Sequence, residues 1–208
     1  MVAQDVLDEH LKACTQLVGN GSAKAISGLA QMVGREVSVS AFSARRVPVN
    51  QAPDLVGGWE ALTLGVYLGV TGCATGHIFM VYQPQIAMAL ADLLLGNPPG
   101  TTKDLAEMEE SALGELGNVM GSFFLNSISD ATGLSFQPTP PAVMMDMAGA
   151  ILDIALADIL EHSDQALVVE THFSTEDRQI NGTLLVMPSP DLLRVLLEHV
   201  NKGDKNGG

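Results

Sequence analysis

The stretch Gly76-His77-Ile78-Phe79-Met80-Val81, followed by Pro84 and a helical run, returns later as Gly182-Thr183-Leu184-Leu185-Val186-Met187, followed by Pro190 and a helical run. One offset relates both the strand-like runs and the prolines, so a whole unit is repeated and not a single strand. Upstream, Gly34 and Gly133 each end a long amphipathic segment, at a slightly smaller offset. This pattern implies an α/β chain of the α+β kind, internally duplicated with pseudo-twofold symmetry. Both long helices are expected to pack on one continuous, mainly antiparallel sheet, because most strands are joined by turns too short for crossover helices. Residues 1–208 then form a single domain of two repeats, about 5–96 and 101–200, with a polar, disordered tail over 201–208.

Local signals fill in this frame. A first helix is predicted from about Asp5 to Val33, although Gly19, Gly21 and Gly28 weaken it by about 1 kcal/mol each relative to alanine. Glu36–Ala41, Glu60–Val70 and Gly76–Tyr82 read as strands, and Pro84 suits the first turn of a helix. Asn97-Pro98-Pro99-Gly100 punctuates the halves and is too short to be a flexible linker. Asp104 with Glu107 resembles a helix start, and that helix runs to about Ala131. Leu134–Gln137, Gln165–Phe173 and Gln179–Met187 restate the sheet, and a last helix ends near Val200. The second half carries about seven extra residues around Met147–Asp153, inside a helix-like segment Met144–Leu160.

Composition excludes several function classes. With 47% apolar residues, 208 residues can bury a substantial core. No apolar run reaches the roughly 18–20 residues that span a bilayer. The acidic N-terminus lacks the pattern of a signal peptide. Cys14 and Cys73 make neither a disulfide framework nor a metal cluster, so a cytoplasmic protein is expected. A net charge of −14 argues against nucleic acid and against acidic membrane surfaces. His10, His77, His162, His172 and His199 lack the repeated spacing of a zinc site, and no metal ligand set is predicted.

The two halves differ most along one helix face. Ser111, Glu115, Asn118 and Ser122 follow an i, i+4, i+7, i+11 pattern, while Leu113, Leu116, Val119, Met120, Phe123, Phe124 and Ile128 occupy the opposite arc. In the first half the matching positions are Lys12, Gln16 and Gly19. An ordinary solvated face is rich in Lys, Arg and Glu, whereas this stripe carries one acid, one amide and small residues. Gly114, Gly117 and Gly121 flank it and allow close approach. Pro141 follows Asn118 by 23 positions, where a returning strand can border the stripe.

The spacing Ser111-x3-Glu115-x2-Asn118-x22-Pro141 resembles the signature of the CheC, CheX and FliY phosphatases, which dephosphorylate the chemotaxis response regulator CheY. Glu115-Leu-Gly-Asn118-Val-Met-Gly121 and Asp146-Met147-Ala148-Gly149-Ala150-Ile151-Leu152 are similar to CheC in particular. The resemblance implies hydrolysis of an aspartyl phosphate on a CheY-like receiver, with Mg²⁺ and a lysine supplied by that partner. It gives Glu115 and Asn118 the catalytic roles and places Ser111 and Pro141 at the substrate-binding edge. It also implies a second class of reading, a regulatory module for the receptor deamidase CheD, with Asp146 as the contact. CheC proteins commonly carry one site per half. Here Gln16, Gly19 and Phe42 stand where Glu, Asn and Pro belong, so only the second half is expected to work.

The chemistry of the stripe agrees with that assignment. An acyl phosphate is already activated and needs an attacking water held in line. A carboxamide such as that of Asn118 can accept from water and donate to a phosphoryl oxygen, which makes it a positioning group and not a strong base. A carboxylate at position 115 can pair with a partner lysine.

Overall fold

The computed structural model describes residues 2–161, 164–175 and 181–205. The first helix, α1 (Val2–Val33), leads into β1 (Val37–Pro48) and a short 3₁₀ segment (Val49–Val56). β2 (Leu62–Gly72) and β3 (Gly76–Tyr82) form a hairpin, and α2 (Pro84–Leu94) closes the first half. The second half comprises α3 (Glu107–Thr132), β4 (Phe136–Pro138), β5 (Ala142–Met147), α4 (Ala148–Leu160), β6 (Gln165–Thr175), β7 (Asn181–Pro188) and α5 (Pro190–Lys205).

All seven strands join one antiparallel sheet in the order β1-β6-β7-β3-β2-β4, with β5 also on β2. The register of β3 on β7 carries the repeat. Phe79 lies opposite Leu185, its own repeat equivalent, and Gly76 lies opposite Pro188. A twofold axis through the Phe79–Leu185 pair therefore relates the two hairpins. Pro84 and Pro190 open α2 and α5 at matching places, and Gly34 and Gly133 both take the left-handed backbone that ends a helix, at φ 64° and 69°.

The outer strands are exchanged. β1 of the first half pairs with β6 of the second, and β5 of the second pairs with β2 of the first. At the offset that links Gly34 to Gly133, β1 corresponds to β4 and β5 together. An irregularity in β1 between Val39 and Ala41 matches the break at Thr139–Pro141. Prolines enlarge that break because they donate no ladder hydrogen bond.

Four helices cover one face. α1, α2, α3 and α5 bury Leu29, Leu90, Leu116 and Leu196 against Leu64, Val66, Met80 and Val186. The opposite face is covered by α4 and the 3₁₀ segment, which bury Ile151, Leu156 and Val49 on Phe79, Leu185 and Met187. β3 is thus buried along its whole length, which explains its unbroken apolar sequence.

Several boundaries differ from the sequence reading. β1 extends past Ala41 to Pro48, because β6 pairs it throughout. α3 starts at Glu107, where the Glu109 carboxylate accepts from the Ala106 N–H at 3.2 Å, so Asp104 is not its cap. Met144–Met147 belongs to β5 and not to a helix. The tail expected to be disordered from Asn201 is helical as far as Lys205, and 206–208 lie outside the described residues.

The join between the halves is fixed by Asp92, which is fully buried at the end of α2. Its carboxylate accepts from the N–H groups of Gly100, Thr101 and Thr102 at 2.7, 3.1 and 2.9 Å, and from the Thr102 hydroxyl at 2.7 Å. Burial pushes its pKa up, but the hydrogen bonds from Thr102, Gly100 and Thr101 outweigh this and hold it below the ordinary carboxylate value.

Candidate functional site

α3 sits unusually close to the sheet, and its glycines are the reason. A Cβ on Gly117 would lie 2.5 Å from Val66 Cγ1, and one on Gly121 would lie 2.9 Å from Leu68 Cδ2. Val66 and Leu68 are wholly buried side chains of β2. Leu113, Leu116, Met120, Phe124 and Ile128 are buried in the same core. Val119 and Phe123 are only half-buried and lie beside Gly28 of α1, so part of the expected sheet-facing arc packs helix on helix.

The opposite face of α3 is open. Ser111, Glu115 and Asn118 are all exposed, and Ser122 is half-buried. Among the described residues, none of the first three makes a side-chain hydrogen bond or ion pair. They are free to meet another molecule. Pro141 borders them: its ring atoms lie 3.7 and 3.6 Å from where a Cβ would stand on Gly114 and Gly117. It is held there because the neighbouring Thr139 is tied to Gly69 of β2 in both directions, N–H to carbonyl at 2.9 Å and hydroxyl accepting from N–H at 2.9 Å. The helix register and the broken β4–β5 strand therefore assemble Ser111, Glu115, Asn118 and Pro141 into one surface.

Asp146 lies elsewhere, on β5 opposite Thr63 and just before α4. It is exposed, and its Oδ1 accepts from the Met147 N–H at 2.7 Å. Exposed Met145 and Met147 flank it along β5 but project to the other face of the strand, Leu62 lies opposite Met147, and Trp59 covers Gly149 at the start of α4.

The structure adds two polar clusters that local sequence patterns did not reveal. Buried Glu170 pairs with His172 at 2.7 Å and Arg45 at 3.1 Å, and His172 Nδ1 meets the Thr183 hydroxyl at 3.1 Å. On the same face His77 lies 3.1 Å from Asp158 of α4 and 3.2 Å from the Tyr67 hydroxyl. Burial, and then the charge of Asp158, pushes the Tyr67 pKa up. Arg45–Glu170 joins the exchanged strands β1 and β6 and His77–Asp158 joins β3 to α4, while the other pairs lie within the β2–β3 and β6–β7 hairpins.

A cleft of about 810 Å³ lies beside His172 and Thr183, walled by Leu55 and Val56 and floored by Val81. Val81 and Thr183 are the repeat equivalents of Met187 and His77, which lie under α4. The cleft is open because the 3₁₀ segment has 8 residues where α4 has 13. It is a product of unequal repeats and lies away from the α3 stripe.

Comparison with known proteins gives one match that spans the stripe and others that span most of the chain. Residues 108–145, which contain Ser111, Glu115, Asn118 and Pro141, match the CheC-like family. The CheY-P phosphatase CheC of Bacillus subtilis (strain 168) is 29% identical over 84% of this chain and 86% of its own. Thermotoga maritima FliY has the same fold, with a TM-score of 0.72, 19% identity and coverage of 93% and 96% of the two chains. CheX in the CheX–CheY–BeF3–Mg complex of Borrelia burgdorferi aligns with a TM-score of 0.56 at 17% identity, over 84% of this chain and 97% of that one. Motif, similarity over most of the chain and fold agree: the chain is similar to the CheC-like family and to its structural neighbours FliY and CheX.

Proposed function

We propose that this chain is an aspartyl-phosphate protein phosphatase that hydrolyses the phosphorylated form of a CheY-like response regulator, and that its working site is Glu115 and Asn118 on α3. The observation that carries this reading is the open stripe. A carboxylate and a carboxamide are exposed on one helix face, without partners among the described residues, inside the segment that matches the family.

In this reading Glu115 pairs with a lysine of the receiver and seats the complex. Asn118 stands one turn further along and enters the receiver's phosphorylation site. Its carbonyl accepts from a water and its NH₂ donates to a phosphoryl oxygen, which holds the water in line with the departing carboxylate. The leaving group already belongs to an activated acyl phosphate, so positioning is the main task. Ser111 and Pro141 shape the rim. Mg²⁺ is held by the receiver; among the described residues no group of three or more His, Cys, Asp or Glu is placed to hold a metal.

The test is phosphate release from a receiver charged with a small phosphodonor. Asn118→Ala should slow release by about a hundredfold, because misplacing the reactants alone costs that much. The fold should persist, since an exposed amide contributes within about 0.5 kcal/mol. Glu115→Lys should weaken capture of the receiver more than Glu115→Ala does. Gln16→Ala should leave turnover unchanged; loss of activity there, with Asn118→Ala active, would reverse the assignment of the halves.

A second reading, a docking surface for a CheD-like deamidase, is supported by the mixed patch around Asp146. At this end of the sheet exposed Met147 and Leu62, opposite each other in the register, offer anchors, and Asp146, next along β5, offers a charge. Asp146→Lys should abolish that complex in calorimetry and spare phosphate release.

A further inference from the structure

The first half retains the outline of the stripe, and its matching surface is physically covered. At the offset linking Gly34 to Gly133, Gly19 of α1 matches Asn118, Gln16 matches Glu115 and Phe42 of β1 matches Pro141. Gln16 and Asn20 are exposed, so this face of α1 does look outward. Over Gly19, however, lies the ring of Phe42: a Cβ at position 19 would stand 2.7 Å from Cζ, 3.0 Å from Cε2 and 3.4 Å from Cε1. Real Cβ atoms essentially never come within 3.0 Å of a packed neighbour, so a side chain at position 19 requires the Phe42 ring to move.

The two halves treat the same place differently. Pro141 is short and rests against Gly114 and Gly117, which leaves Asn118 open. Phe42 reaches further and lies on the equivalent of Asn118 itself. Its other surface is left in solvent, with 45% of the residue exposed. An aromatic ring half in water is a poor core residue, but it is effective at denying another molecule access to the helix beneath it.

We infer that Phe42 is an occluding residue: Gly19 admits its ring, and the ring then excludes both a catalytic side chain at position 19 and the approach of a receiver's phosphoryl group. The single-site character of the chain thus rests on a coupled pair, and restoring the polar residues alone does not rebuild the site. This rests on the proposed phosphatase reading, so the experiment separates the two.

In an Asn118→Ala background, the variant carrying K12S, Q16E and G19N should show no phosphate release beyond the receiver's own decay. Adding F42P, or separately F42A, should accelerate release by about tenfold or more. Recovery without changing Phe42, or no recovery after changing it in a folded protein, would overturn the inference. A readout independent of activity is a double-mutant cycle: Gly19→Ala should lower the urea midpoint while Phe42 is present and raise it in the Phe42→Ala background. Equal shifts in the two backgrounds would overturn the occlusion. An inactive wild-type protein would instead defeat the phosphatase reading, and the stability cycle would still stand.

Discussion

At the residue scale, the most consequential side chain outside the stripe is Asp92. It makes four hydrogen bonds to the segment that joins the halves, and three of them satisfy backbone N–H groups. Asp92→Ala should destabilise the protein by about 3 kcal/mol, since it orphans buried donors and removes a charged acceptor. The sign of the pH effect follows from its depressed pKa. The stabilisation is fully present above the unfolded carboxylate value of about 4 and is lost as pH falls through the lower folded value. Urea midpoints of wild type and Asp92→Ala should differ by a constant amount near neutrality and converge in acid. A gap that widened on acidification would contradict the assignment. The stripe shows the opposite balance: among the described residues Glu115 and Asn118 make no side-chain hydrogen bond or ion pair and remain available to a partner.

At the scale of elements, the seat of α3 on β2 depends on missing side chains. Gly→Ala inside a helix ordinarily gains about 1 kcal/mol. At Gly117 the new methyl would press on buried Val66, and overpacking of this kind costs about 1–3 kcal/mol. Gly117→Ala should therefore lower stability in denaturant unfolding, and Val66→Ala added to it should recover part of the loss. The same elements show what a reader of the sequence can reach. The repeat was legible because β3 and β7 are buried on both faces and keep their apolar runs. The outward stripe was legible because helical spacing alone places 111, 115 and 118 on one side. β1 beyond Ala41 was not, since Ser43, Arg45 and Arg46 are exposed on an edge strand and show no apolar alternation. The place of Asp146 on β5 was not legible, because Met144–Leu160 is mostly apolar, broken only by Asp146, Asp153 and Asp158, and such a run does not show where strand gives way to helix. Phe42 was recognised as a departure from the motif, but its place over Gly19 depends on the β1–α1 approach.

At the scale of the whole molecule, the exchange of outer strands means that neither half holds a complete sheet. β1 finds its partner in β6, from Val37 with Thr175 to Pro48 with Gln165. Its register therefore depends on residues more than a hundred positions away. A chain emerging N-terminus first has made α1, β1, β2 and β3 well before β6 exists. Until then β1 is an unpaired edge and one face of β3 waits for β7. Closing so long a loop costs little extra stability, because the entropy grows only slowly with length, but non-local pairing of this kind slows folding. A fragment of residues 1–100 should accordingly show no cooperative melting alone, and should gain it when mixed with 101–208. Independent melting of the first fragment would show that the halves fold separately. Duplication in this chain has thus yielded an obligate pair: the interval between synthesis of β1 and arrival of β6 is when the protein is most exposed to aggregation, and when a chaperone would matter most.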